Sequence, residues 1–150
     1  MPPREADLQV LLDEREIRAL ILRFGGSLDR KEWAAYADTF TRDGAFEIMG
    51  QRRVGRDAIA AGPARDLTRF DRLQHIVANE QIEVAGDEAT GQWYLFGIHV
   101  PSSERPDVHA DIGGCYRFRA RRTDEGWRFA EVAIEVRWSA GMPFAVDDHS

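Results

Sequence analysis

Apolar positions set the first prediction. Leu8, Leu11, Leu12, Ala19 and Leu22, interleaved with Ile17, Leu20, Ile21 and Phe24, recur at helical spacing from about Asp7 onward. That period predicts a long amphipathic first helix. Gly25 and Gly26 weaken its end, and Ser27-Leu28-Asp29 continues the turn. A second helix is expected over residues 32–40, with Trp33, Tyr36, Ala37 and Phe40 on one face, so the two helices form a hairpin. Thr41-Arg42-Asp43-Gly44 is rich in turn formers and precedes a short strand at 45–49. Gly50 and Gln51 reverse it into a partner at 52–54, and residues 56–66 have the composition of a third helix, interrupted near Gly62-Pro63.

Beyond Phe70 the period changes to two. Strands are predicted over 72–84, 89–100, 111–123 and 127–138, separated by clusters of Gly, Asp, Pro and Ser. In the third, Ile112, Gly114, Tyr116, Phe118 and Ala120 form the apolar set; Gly113, Cys115, Arg117, Arg119 and Arg121 form the wetter one. In the fourth, Ala130, Val132, Ile134, Val136 and Trp138 lie opposite Glu131, Glu135 and Arg137. Helices followed by an antiparallel sheet imply the α+β class. The stretch after Ser139 reads as a loose tail or a lid.

Composition narrows this picture. A chain of 150 residues suits one domain, residues 1–150, with 139–150 as the tail. The net charge of −6 argues against nucleic acid as a partner. Arg117, Arg119, Arg121 and Arg122 read as the solvated face of a strand. Cys115 is the single cysteine, which excludes an intrachain disulfide and fits a reducing cytoplasm. No apolar run reaches membrane-spanning length, and the amino terminus lacks a signal-peptide pattern. No glycine-rich phosphate loop precedes a helix, so no nucleotide cofactor is expected. His99 and His109, with Asp107 or Asp111, lack a metal-ligand spacing, so no metal is expected either.

The candidates for chemistry are few. His75 lies in Leu73-Gln74-His75-Ile76-Val77, where alternation turns it towards the interior. Asp29 stands at the end of the first helix among Phe24, Leu28 and Trp33. By themselves these residues read equally as a satisfied core histidine and a cap for the second helix.

Short phrases along almost the whole chain carry a resemblance. They are Leu28-Asp29-Arg30 with Trp33, Asp43 to Phe46, Gly55 to Ile59, His75 entering a long strand, and Gly126 to Phe129. In this order the sequence resembles the SnoaL-like branch of the nuclear transport factor 2 superfamily. The resemblance implies a cone-shaped α+β barrel, three helices packed on a strongly curved, mainly antiparallel sheet. Members such as scytalone dehydratase and lindane dehydrochlorinase have an Asp at the position of Asp29 and a His at that of His75, acting as a pair. It therefore implies a cofactor-free dehydratase, another lyase or an isomerase. The substrate would be small and mostly apolar, with cyclic molecules among the candidates. Asp29 and His75 would be catalytic, and Trp33, Tyr36, Phe46, Tyr94, Tyr116, Val132 and Trp138 would form the wall. Tyr36, Tyr94, Tyr116 and His99 are candidates for an accompanying acid. Leu28, Ile48, Met49, Trp93 and Val132 depart from those members, so their substrates do not carry over. A non-catalytic binding or assembly protein of the same fold is the alternative, and a homodimer or homotrimer is expected in either case.

Overall fold

The helical period at the start of the chain becomes α1, Glu5–Asp29, in the computed structural model, which describes residues 4–141. It runs through Gly25 and Gly26 unbroken. Ile17, Leu20, Ile21, Phe24 and Leu28 are buried along one stripe. Gly25 faces the third strand: a Cβ there would touch Val77 and the backbone of His75 at ordinary contact distance. The helix therefore lies close against the sheet at the turn before Asp29.

The second helix is shorter than its apolar face predicts. α2 spans Trp33–Ala37, and Phe40 opens the first strand instead of closing the helix. That strand, β1 at Phe40–Ile48, absorbs the expected turn at Thr41 to Gly44 as a register shift between Phe40 and Ala45. β2 is Gln51–Val54, and α3 is Arg56–Asp66, continuous through Gly62 and Pro63. The four long strands are β3 Arg72–Ala85, β4 Glu88–Val100, β5 Ala110–Thr123 and β6 Gly126–Ala140. They match the predicted spans to within two residues at each end. Ser139 and Ala140 still belong to β6, and Gly141 follows it; residues 142–150 of the expected tail lie outside the described residues.

The six strands form one mixed sheet in the order β2-β1-β6-β5-β4-β3. All neighbours are antiparallel except β1 with β6, whose parallel pairing brings the early hairpin beside the last strand. The three helices lie against the inner face of this α+β cone.

Register shifts decide which side chains reach that face. β4 alternates cleanly, with Trp93, Leu95 and His99 buried and Tyr94 and Phe96 exposed. β5 pairs with β4 without a shift, but β6 does not keep one phase against β5. Shifts between Gly113 and Gly114 and between Arg119 and Ala120 reverse the side presented. Trp127 and Phe129 consequently enter the core alongside Val132, while Trp138 moves to the outer face and packs on Phe96 at 5.2 Å between ring centroids. Cys115, expected on the wet face, is fully buried.

One polar anchor ties α1 to the β5–β6 hairpin. Asp13 is 3% exposed and receives two 2.8 Å hydrogen bonds from Arg122, one of 3.1 Å from Trp127 Nε1 and one of 3.1 Å from Gln9. Arg122 is thus a structural clamp and not part of a solvated basic face. The Arg122 guanidinium, with the other donors, holds the Asp13 carboxyl at about 2, below its ordinary 3.8. A depressed folded-state value contributes stability above the unfolded pKa that is lost as pH falls. The expected outcome is a loss on the order of 2 kcal/mol between about pH 4 and pH 2. Denaturant unfolding at a series of pH values measures it. Asp13→Asn should flatten that profile while lowering stability at neutral pH.

Candidate functional site

Asp29 ends α1, one turn beyond Gly25 on the same helix face. A carboxylate in the last turn opposes the helix dipole, and that turn carries no basic residue. Compensation comes from β3. Asp29 Oδ1 accepts the backbone N–H of His75 at 2.8 Å and faces His75 Nδ1 at 2.7 Å. No side-chain cap from Asp29 to α2 is formed: the residue preceding that helix is Glu32.

The contact fixes the imidazole. An ionised carboxylate can only accept, so in the neutral ring Nδ1 carries the proton and Nε2 carries the lone pair. Nε2 makes no hydrogen bond with any described residue. The His75 side chain is 6% exposed and that of Asp29 28%, so the ring is shielded and the carboxylate keeps some contact with water.

His99, a candidate for an accompanying acid, is a close neighbour of His75. It ends the inward series Trp93, Leu95, Gly97, is 3% exposed and lies edge-on to His75 at 5.5 Å. Burial, followed by the nearby His75, lowers its pKa to about 4, against a smaller opposing effect of the Ala110 carbonyl. The ring is neutral at physiological pH, and its Nδ1–H donates to Ala110 O at 3.0 Å. The alternation of β4 was the signal that could have placed it. His109 lies apart, with Nδ1 2.7 Å from Asp111. Among the described residues no group of three or more metal-binding side chains occurs.

The expected wall divides. Tyr36, Phe46, Tyr116 and Val132 are all buried in the core, and Trp33 packs partly buried against it. Their rings fill much of the cone: Phe24 lies 4.9 Å from Tyr36 and 5.3 Å from Tyr116. Tyr94 and Trp138 are corrected. Strand alternation in β4 and the shift in β6 put them on the outer face, where they line a shallow cavity of about 240 Å³ with Ile76, Phe96 and Arg137. Both lie on the side of the sheet opposite His75.

Comparison with known proteins fits this geometry. The sequence matches the SnoaL-like domain over residues 9–133. The chain belongs to the SnoaL-like family. No curated relative matches it. Among solved structures, this SnoaL-like chain is similar to an NTF2-like protein with a cystatin-like fold from Novosphingobium aromaticivorans, at 28% identity and a TM-score of 0.78. The match covers 88% of this chain and 86% of that one. A candidate scytalone dehydratase from Novosphingobium aromaticivorans DSM 12444 shares 22% identity with a TM-score of 0.79, over 89% of each chain. A type 2 hexachlorocyclohexane dehydrochlorinase shares 18% with a TM-score of 0.69, over 88% of this chain and 93% of that one. At such identities the last two establish a shared fold.

The tautomers of this SnoaL-like site are open to measurement. Long-range proton–nitrogen NMR at neutral pH should show Nδ1 protonated and Nε2 unprotonated for both His75 and His99. His99 should titrate near 4. In Asp29→Asn the His75 signals should shift towards a mixture of tautomers; an unchanged Nδ1-protonated ring would show that the carboxylate does not set it.

Proposed function

We propose that the protein is a cofactor-free proton-transfer enzyme in which His75 Nε2 removes a proton from a carbon beside a carbonyl or a leaving group. The observation that carries this reading is the 2.7 Å contact of Asp29 Oδ1 with His75 Nδ1. Asp29 orients the ring and would stabilise the imidazolium formed when Nε2 takes the proton. The shielded position of the ring keeps water from competing. Loss of a hydroxyl or another leaving group from the adjacent carbon gives elimination; return of the proton to a different carbon gives isomerisation. The substrate class is small, mostly apolar and cyclic, in keeping with the aromatic rings inside the cone. The similarity to a candidate dehydratase and to a dehydrochlorinase of the same fold supports the elimination branch.

One observation favours a second reading, assembly or ligand carriage without catalysis. Ile76, Tyr94, Phe96 and Trp138 are each more than a third exposed on the outer sheet face, an apolar surface of the kind that packs on a partner. The same surface supports a homodimer or homotrimer under either reading. The single buried Cys115 suits the reducing cytoplasm. Among the described residues no helix is long and apolar enough to cross a membrane.

A bicyclic β-hydroxy ketone, 3-hydroxy-1-tetralone, tests the catalytic reading, because loss of water yields fluorescent 1-naphthol. The natural protein should accelerate that loss and speed exchange of the substrate's α-protons with deuterium oxide. His75→Gln and Asp29→Asn should each lower kcat by roughly 10²–10⁴-fold with little change in KM. Equal rates in the natural protein and His75→Gln would leave the assembly reading standing.

A further inference from the structure

A second group of polar side chains lies inside the cone. β1 pairs with β2 so that Phe46 stands directly opposite Arg53, and residues opposite each other in an antiparallel pair share a face. Arg53 therefore projects inward from the edge strand, and its side chain is 15% exposed. Its guanidinium carbon lies 6.0 Å from the centre of the Phe46 ring. α3 covers it at Gly62, where any Cβ would overlap the guanidinium, so glycine there makes the room that Arg53 occupies. The rings of Tyr36 and Tyr116 lie 6.5 and 6.4 Å from the same phenylalanine.

These groups are rich in donors and poor in acceptors. Arginine and tryptophan only donate, and a neutral phenol donates readily. Neither tyrosine hydroxyl makes a hydrogen bond with a described residue, neither is wholly sealed from water, and burial pushes both phenols above their ordinary value. Tyr116 stacks on Trp93 at 4.9 Å, and the buried Nε1–H of Trp93 has no partner among the described residues. Arg53 does reach Asp66, at 3.5 Å, but Asp66 is half exposed and takes shorter bonds of 2.7 and 3.0 Å from Arg65. The guanidinium charge is thus weakly compensated in a nearly buried position. An unmet buried donor costs about 1–3 kcal/mol, and the cost is recovered when a ligand supplies the acceptor.

An inward charge on an edge strand also guards against edge-to-edge pairing. That role needs a charge alone and does not account for the two tyrosine hydroxyls without a protein partner beside Phe46.

We propose that Arg53, with Tyr36 and Tyr116, forms an anion-recognising subsite, so that the ligand carries an anionic oxygen: a carboxylate or an ionised phenol or enol. Four residues of β4, about 13 Å of strand, separate Trp93 beside Tyr116 from Gly97 beside His75. The anionic end and the carbon facing His75 are therefore at opposite ends of the bound molecule. This deepens the reading of the cone as a ligand site and does not depend on proton transfer.

Calorimetric titration of the full chain with benzoate and with benzamide, its neutral counterpart, tests it. Benzoate should bind at least about tenfold more tightly, the advantage of a charge-assisted over a neutral hydrogen bond. Arg53→Met should abolish the difference, and Arg53→Lys should keep part of it, because the charge remains and the two-pronged fork does not. Tyr116→Phe should weaken benzoate binding while the melting temperature stays within a few degrees of the natural chain's, about the effect of one lost hydrogen bond. 4-Nitrophenol distinguishes the two sources of anion: growth of its phenolate absorbance on binding, with weaker benzoate binding, identifies a phenol or enol site. Equal affinities for benzoate and benzamide overturn the proposal, as does absence of binding by all three up to about 10 mM, weaker than any specific site. A benzoate preference that survives in Arg53→Met also overturns it and leaves Arg53 as an edge guard. Lost selectivity with His75-dependent dehydration intact counts against this subsite alone; the reverse result counts against the proton-transfer reading alone.

Discussion

The packing of Phe24 is the constraint on which the rest of the structure depends. Six aromatic rings, those of Tyr36, Phe40, Phe46, Trp93, Tyr116 and Phe129, lie within 6.3 Å of it, centroid to centroid. They come from α2, β1, β4, β5 and β6, so one side chain of α1 joins most elements of the fold. Truncating a buried phenylalanine of this kind removes about 3–5 kcal/mol, a large share of the stability of a single domain. It also sets the site. With Phe24 fixed, Gly25 meets β3 and Asp29, one turn later, arrives at His75.

Local preference is set aside at the places where chemistry is proposed. Asp29 is at the wrong end of its helix for the dipole, Arg53 is charged on an inward position, and the Trp93 N–H is buried without a partner. Other parts of the chain follow ordinary rules more closely. The Asp13–Arg122 clamp has its donors and acceptors matched, and β4 alternates as the pleat requires, while β3 changes phase at a shift between Ala78 and Gln81. Arg128 Nε, outside both groups, is likewise buried without a partner among the described residues, and Met49 and Asn79 hold a positive φ at a turn and at the β3 shift.

The aromatic filling of the cone constrains the chemistry as much as the dyad does. Under the proposed function, a ligand at His75 would meet ring faces and a few donors, which suits a small planar or cyclic molecule with one polar end. Chain membership in the SnoaL-like family fixes the scaffold and leaves the reaction to these particular side chains. Tyr36, Phe46, Tyr116 and Val132 were legible as inward residues because period-two and helical alternation mark them without knowledge of their neighbours. Tyr94 and Trp138 were misread: the alternation of β4 puts Tyr94 outside, and the shift at Gly113/Gly114 turns Trp138 away from the side that strict alternation from Val132 assigns it.

What the sequence by itself determined is the set of elements, since hydrophobic period is a local property: the long first helix, the four long strands and the α+β class. His75 facing inward follows from the same alternation. The tertiary structure alone decided the rest. The register shifts at Gly113/Gly114 and Arg119/Ala120 arise from pairing between strands, and each reverses the side that later residues present. Phe40 left the helix for β1 because its burial partner is Phe129, 89 positions away in the chain. The 2.7 Å contact of Asp29 with His75 joins residues 46 positions apart, and no local pattern encodes a distance between elements that meet only when the core closes.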